Sequence, residues 1–293
     1  MCVTLFFLGG LPMTNTFRRI YFFPVFIFAL VVGACGGGGG GATTSQGQFV
    51  DAAVEGITYT SGGKTGVTDV NGNFSYATGG QVTFSVGGIV LGTVNGSAIV
   101  TPVQLIAGAK DQTDPAVTNI VQFLLTIDDD QDATNGIKIT PAIRAAAAGL
   151  SIDFTLAGFD TDSNVSSVVG ILTSASSIGN RVLVSNSVAQ THLSNSLFSL
   201  MAYTYNGTYT GTDSGNWSVN VTTNGTVSGS GNSNTIGPFS ILGSVTSSGT
   251  TTAIATGSAA TSTWAGTINI TNGNFAGSWS GVGESGTFTG SKQ

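Results

Sequence analysis

From Tyr203 to the C-terminus, apolar and polar residues alternate with period two, and turn signals break the alternation about every 10 to 12 residues. Trp217, Val219 and Val221 share one side, as do Phe239, Ile241 and Val245, then Trp264, Ile268 and Ile270, then Phe275 and Trp279. Asn224-Gly225 and Asn272-Gly273 are hairpin turns. About eight short strands fit, and consecutive hairpins of even length predict an up-and-down antiparallel meander. Eight strands suffice to close a barrel and remove its edges. Closure matters for this chain, because an uncharged, Thr-rich edge strand is a template for aggregation.

Glycine recurs two residues from an aromatic on the same face: Tyr205 and Gly207, Tyr209 and Gly211, Trp264 and Gly266, Phe275 and Gly277, Phe288 and Gly290. A glycine beside a ring leaves room for that ring to cross a small interior, so a filled barrel is expected, with a shallow pocket as the alternative. The pattern resembles the terminal barrels of Gram-negative surface lipoproteins of the transferrin-binding and factor-H-binding type. That resemblance implies a fold and carries no binding residue across. A membrane-spanning barrel is disfavoured, since these strands are short and lack aromatic girdles.

Upstream, period two returns in FVDAAVEGITYT, GVTDVNGNFSY and QVTFSVGGIVLG, where Val82, Phe84 and Val86 alternate with Thr83 and Ser85. Asn71-Gly72 predicts a hairpin. The stretch from Gly66 to Tyr76 resembles the T-D-x-x-G-x-F core of carboxypeptidase regulatory-like modules, which implies a small transthyretin-like β sandwich and no activity. Between the two β regions lie helical signals. Asp114 and Pro115 open AVTNIVQFLLTID, with Val117, Ile120, Val121, Leu124 and Leu125 as its apolar face. Thr140 and Pro141 precede AIRAAAAG, with Gly149 as its stop. Ser163 is placed to cap NVSSVVGILTSAS, and Ser185 or Asn186 to cap a helix reaching about Met201, in which Leu193, Leu197, Leu200 and Met201 form one stripe.

The N-terminus supplies the most specific signal. Arg18 and Arg19 precede an apolar run over residues 20–32, and small residues then lead to Cys35. Thirteen residues cover about 20 Å as a helix, short of a hydrocarbon core of about 30 Å but suited to the apolar region of a secretory signal. Met13 is the better start, because MTNTFRR supplies a short basic region that residues 1–12 would only burden. Val32, Gly33, Ala34 and Cys35 resemble a bacterial lipobox. That resemblance implies cleavage between Ala34 and Cys35, an acylated Cys35 as first mature residue and, with Gly36 following, sorting to the outer membrane. Residues 36–47 read as a flexible tether with a typical reach of about 20 Å.

Without residues 1–34 the chain loses Arg18 and Arg19, leaving six basic against fourteen acidic residues, a net charge of about −8. Nucleic acid is thereby excluded as a partner, for want of clustered Lys and Arg. Anionic headgroups would repel the chain, so membrane attachment rests on acyl chains. A single mature cysteine leaves no intramolecular disulfide and no thiolate metal cluster.

Asp128, Asp129, Asp130 and Asp132 are the densest charge in the sequence. Asp128, Asp130 and Asp132 stand at positions 1, 3 and 5 of a calcium-loop spacing. Ala133 replaces the glycine at position 6 and Ile139 the bidentate glutamate at 12, so the favoured reading is a solvated turn whose aspartates bond local amides, with calcium as the alternative. Four carboxylates at a helix C-terminus oppose its dipole, which a cation would relieve. Asp160, Asp162 and Asn164 read as a helix N-cap, and Asp69, Asn71 and Asn73 as a turn. His192, the lone histidine, reads as a partly buried packing residue. Ser61 and Lys64 form S-x-x-K without its companion motifs, there is no G-x-S-x-G elbow, and one histidine does not make a zinc site.

The fold class expected is therefore mainly β with a helical middle: signal peptide 1–34, lipidated cysteine and tether 35–47, β module 48–111, helices 112–201 packing on it, and an eight-stranded antiparallel barrel 202–293. The function expected is that of a lipid-anchored cell-envelope protein, periplasmic or surface-exposed, with a non-enzymatic binding, adhesion or structural role and a protein, glycan or small-ligand partner. A calcium-dependent surface module is the alternative, and a hydrolase with an unrecognised site the second alternative.

Overall fold

The computed structural model describes residues 43–258 and 260–293; the signal, Ala34, Cys35 and the glycine run 36–41 lie outside the described residues. Its N-terminal part holds β1 (Thr44–Phe49), β2 (Val54–Glu55), β3 (Thr58–Ser61), β4 (Lys64–Val67), β5 (Asn73–Ala77), β6 (Gln81–Val86), β7 (Ile89–Asn95), β8 (Ile99–Val100) and β9 (Ile137–Lys138). The helices are α1 (Pro102–Leu105), α2 (Pro115–Ile127), α3 (Pro141–Ala146), α4 (Ser163–Ser174) and α5 (Asn186–Met201). No helix among the described residues is long and apolar enough to cross a membrane.

Strands β4, β3, β6 and β7 form one antiparallel sheet in that order, and β1 lies between β5 and β8 in a second. The two meet through rings: Phe49 of β1 and Phe74 of β5 each stand 4.9 Å, centroid to centroid, from Phe84 of β6. The alternation of Val82, Phe84 and Val86 thus turns all three into the core, where each is fully buried. Two expectations need correction here. Residues 44–47, read as tether, are strand: Gly47 pairs with Phe74, and a Cβ on Gly47 would stand 2.5 Å from the Phe74 ring. Asn71-Gly72 makes a turn, with Gly72 at φ +76°, yet joins strands of different sheets. Asp69 drives that turn, its Oδ1 accepting from the Asn71 and Asn73 amides at 2.9 Å each.

Helix α2 begins as expected, Asp114 Oδ1 accepting from Ala116 N at 2.9 Å with Pro115 in the first turn. It buries more than an apolar face, because every residue from Ala116 to Ile127 is buried. Its polar side chains hold irregular backbone instead of facing water. Asn119 Nδ2 donates to Phe154 O at 2.8 Å, and Gln122 Nε2 donates to Val184 O at 2.8 Å. Of the two cap readings for α4, Asp162 and Ser163, the cap is Asp162, and Ser185 caps α5. The buried stripe of α5 is Ala189, Leu193, Leu197 and Met201, with Leu200 only partly covered. Sheets and helices share one apolar core running from Phe49 to Leu197.

The C-terminal strands β10 (Thr204–Gly211), β11 (Gly215–Val221), β12 (Thr226–Ser233), β13 (Gly237–Val245), β14 (Thr250–Gly257), β15 (Thr261–Ile268), β16 (Asn274–Gly281) and β17 (Glu284–Lys292) close into an antiparallel barrel. Each pairs with its sequence neighbours, and β10 closes on β17 through Tyr209 opposite Phe288. Met201, the last residue of α5, is fully buried in the barrel core and accepts at its carbonyl from the Tyr205 hydroxyl at 3.1 Å. The helix end thereby stoppers one mouth of the barrel.

Candidate functional site

The first place to look for a ligand is the barrel interior, and it is packed with side chains. Tyr205, Tyr209, Trp217, Phe239, Trp264, Phe275, Trp279 and Phe288 all point inward and are buried. They pack mostly edge to face: Trp217 lies 5.4 Å from Phe275, Tyr209 5.3 Å from Trp264, and Phe275 5.1 Å from Phe288. The glycines clear the way for them. A Cβ on Gly266 would stand 2.7 Å from Phe288 Cζ, and one on Gly290 would stand 2.6 Å from Trp217 Cη2. A void of about 10 Å³ remains between Trp217, Trp264 and Phe275, room for one water at most. At the mouth away from α5 the Tyr209 hydroxyl donates to Asp213 Oδ2 at 2.8 Å, and burial pushes its pKa up to about 12.

Outside, the barrel strands carry charge only at the two ends of β17, at Glu284 and Lys292. Thr250, Thr252 and Thr256 of β14, Thr263 and Thr267 of β15, and Thr287 and Thr289 of β17 face solvent. Leu242 and Ile254, opposite one another on β13 and β14, are the exposed large apolar pair on this wall.

The aspartate-rich turn after α2 does not gather its carboxylates. Asp128 is fully buried and its Oδ1 accepts from Lys138 N at 2.8 Å. Asp130 Oδ1 accepts from Asp132 N and its Oδ2 from Asn135 Nδ2, at 3.0 Å each, while Asp132 Oδ1 accepts from Thr134 N at 3.1 Å. Among the described residues, no group of three or more His, Cys, Asp or Glu side chains is placed to hold a metal ion. The cation at this helix end is Arg181. Its Nε donates to Thr126 O at 3.0 Å, its Nη2 to Asp128 O at 2.6 Å and its Nη1 to Ser176 Oγ at 3.0 Å. The guanidinium thus satisfies carbonyls that the helix leaves open and answers the dipole. Burial, with the charge of Asp130 adding, pushes the Asp128 carboxyl up to about 6 against the Lys138 amide and Arg181.

The other titratable centre joins residues 141 positions apart. Asp51, in the turn after β1, is fully buried, and His192 of α5 meets it with Nε2 3.3 Å from Oδ1 and 3.2 Å from the Asp51 carbonyl oxygen. It is the one ion pair among the described residues. Apart from that pairing, neither carboxylate oxygen has a hydrogen-bond donor. Ala52 beside it adopts φ +55°, and its amide donates to Ser196 Oγ at 3.2 Å. Asp51, His192 and Ser196 are therefore neighbours; Ser196 Oγ accepts from the Ala52 amide, and among the described residues no hydrogen bond joins it to the imidazole. Burial pushes the Asp51 carboxyl up despite His192. For His192 burial opposes the charged ring, yet the hydrogen bond and charge of Asp51 outweigh it and raise the pKa.

Asp51 is not among the candidates the sequence singles out; its one signal is a lone acid in the apolar run FVDAAV. The remaining candidates are local. Ser61 Oγ donates to Gln81 O at 2.6 Å and accepts from Ala77 N at 3.1 Å; Lys64 stands opposite Ser61 in the β3–β4 pairing, and among the described residues no hydrogen bond joins their side chains. Asp162 caps α4 through Val165 N at 2.9 Å, and Asn164 Nδ2 donates to Ser151 O at 3.1 Å. Comparison with protein-family models, curated proteins and solved structures found no match to this chain.

Proposed function

We propose that this is a lipid-anchored cell-envelope protein, acylated at Cys35, with a non-enzymatic binding, adhesion or structural role. The observation that carries this reading is the ring-filled barrel: with about 10 Å³ free inside it, a ligand of the barrel must meet it from outside. The outer wall supports the same view, being rich in Thr, Ser and Asn where a membrane-spanning barrel presents an apolar band. The anchor rests on the VGAC motif and the glycines after it. Orientation of His192 toward a buried carboxylate, with Ser196 bonded to the neighbouring Ala52 amide and not to the imidazole, favours a structural role for the pair. Labelling cells with a palmitate analogue tests the reading: the wild type carries label in the membrane fraction, and Cys35→Ser is unlabelled and released. Label that persists in Cys35→Ser overturns it.

A further inference from the structure

Between α4 and α5 the chain runs through residues 179–185 without regular secondary structure. The N–H of Val184 donates to Thr126 Oγ1 at 3.0 Å, and its carbonyl accepts from Gln122 Nε2 at 2.8 Å. Both groups of one residue point at α2, as in an extended chain; in a helix they would point opposite ways along the axis. Successive residues of an extended chain turn these groups to opposite sides. The N–H and C=O of Leu183 therefore face away from α2, and no partner among the described residues takes them. Val182 next to it is 85% exposed.

A groove of about 660 Å³ follows this segment, bounded by Gln122, Asp160, Val182 and residues 183–187. Asp160 is the one charged residue among these, because the Arg181 guanidinium is turned to the end of α2. The open donor and acceptor of Leu183, with an apolar side chain beside them and one carboxylate lining the same groove, match what strand addition uses: main-chain bonds for affinity and side chains for selection.

We propose that Leu183 is the docking point for an extended peptide segment of a partner protein, the groups around it being engaged: Arg181 N donates to Thr173 Oγ1, both groups of Val184 bond α2, and Ser185 O accepts from Ala189 N. The segment pairs its backbone with Leu183, lays an apolar side chain on Val182 and sets a lysine or arginine against Asp160. This names the partner class for the binding role proposed above and rests on that role, but not on the anchor.

The test uses the full chain in detergent and blocked pentapeptides of sequence TVKVT and TVEVT. At millimolar TVKVT, amide exchange at Leu183 slows. TVEVT binds roughly 2- to 5-fold more weakly, the scale of one exposed ion pair, and the difference vanishes in Asp160→Asn. Val182→Asp weakens TVKVT binding and leaves the thermal midpoint unchanged. Unaltered exchange at Leu183, or equal binding of the two peptides by the wild type, overturns the proposal. Such a failure leaves acylation at Cys35 untouched, whereas peptide binding by a chain that is never acylated removes the anchor and keeps this docking point.

Discussion

His192 Nε2 lies 3.3 Å from Asp51 Oδ1, so an imidazole that is 20% exposed closes over a carboxylate that is fully buried. The pair ties the turn after β1 to the helix whose last residue enters the barrel core. Desolvation of Asp51 is the cost of this arrangement, and it is offset while His192 carries its proton.

A pH dependence follows. Both pKa values are raised in the folded protein. The stability contributed by His192 is complete below the unfolded value of about 6.5 and is lost as pH rises through its folded value. Asp51, also raised, acts in the same direction: the folded state gains below the unfolded value of 3.8 and loses as pH climbs through the folded one. Chemical denaturation should give lower stability at pH 8 than at pH 6. His192→Gln should flatten that slope and cost about 2–3 kcal/mol at pH 6, below the figure for a fully buried pair because the ring is partly exposed. In Asp51→Asn, the NMR titration midpoint of His192 should fall to the ordinary histidine value or below; an unchanged midpoint contradicts the pairing.

Arg181 supplies the positive charge at the end of α2. Arg181→Met removes three hydrogen bonds, to Thr126 O, Asp128 O and Ser176 Oγ, and should destabilise by about 2–4 kcal/mol. Arg181→Lys should recover less than half of this, since an ammonium lacks the planar fork. Urea denaturation measures both, and a lysine variant as stable as wild type contradicts the capping role.

Calcium should leave the thermal midpoint where it is, because Asp130 and Asp132 already accept from Asn135 and Thr134 of their own turn. Asp130→Ala should shift stability by the same amount, under about 1 kcal/mol, with calcium and without it. A calcium-dependent rise in the midpoint that Asp130→Ala abolishes restores the metal reading.

In the barrel, Gly266→Ala and Gly290→Ala would drive a methyl into Phe288 and Trp217, at 2.7 and 2.6 Å. Each should destabilise by about 1–3 kcal/mol, the cost of overpacking, whereas Thr252→Ala on the outer wall should stay within about 0.5 kcal/mol. Thermal melts followed by tryptophan fluorescence compare the three. Glycine variants as stable as Thr252→Ala would contradict a filled interior.

How far the sequence reveals this molecule depends on how local each determinant is. The barrel is legible because each strand pairs with its neighbour: alternation around Trp217 and Phe239 gives the inner face, and Asn224-Gly225 the turn. The N-terminal sheets are less so. β5 leaves the Asn71-Gly72 turn to pair with β1, and nothing near Gly47 shows that Thr44 to Gly47 would be needed as its partner. The polar side chains of α2 read as a solvent face, since only the tertiary structure brings residues 154 and 184 onto them. The Asp51 and His192 pairing spans 141 residues, and in the sequence Asp51 is a lone acid in an apolar run and His192 one polar residue among several on its helix.

The anchor is the claim on which the proposed function turns, and the intact mass of the mature protein extracted from its own cells tests it most directly. The account predicts a chain beginning at Cys35 and heavier than residues 35–293 by a diacylglyceryl group and a fatty acyl chain. A free cysteine thiol, or a mature chain that begins elsewhere, would contradict it.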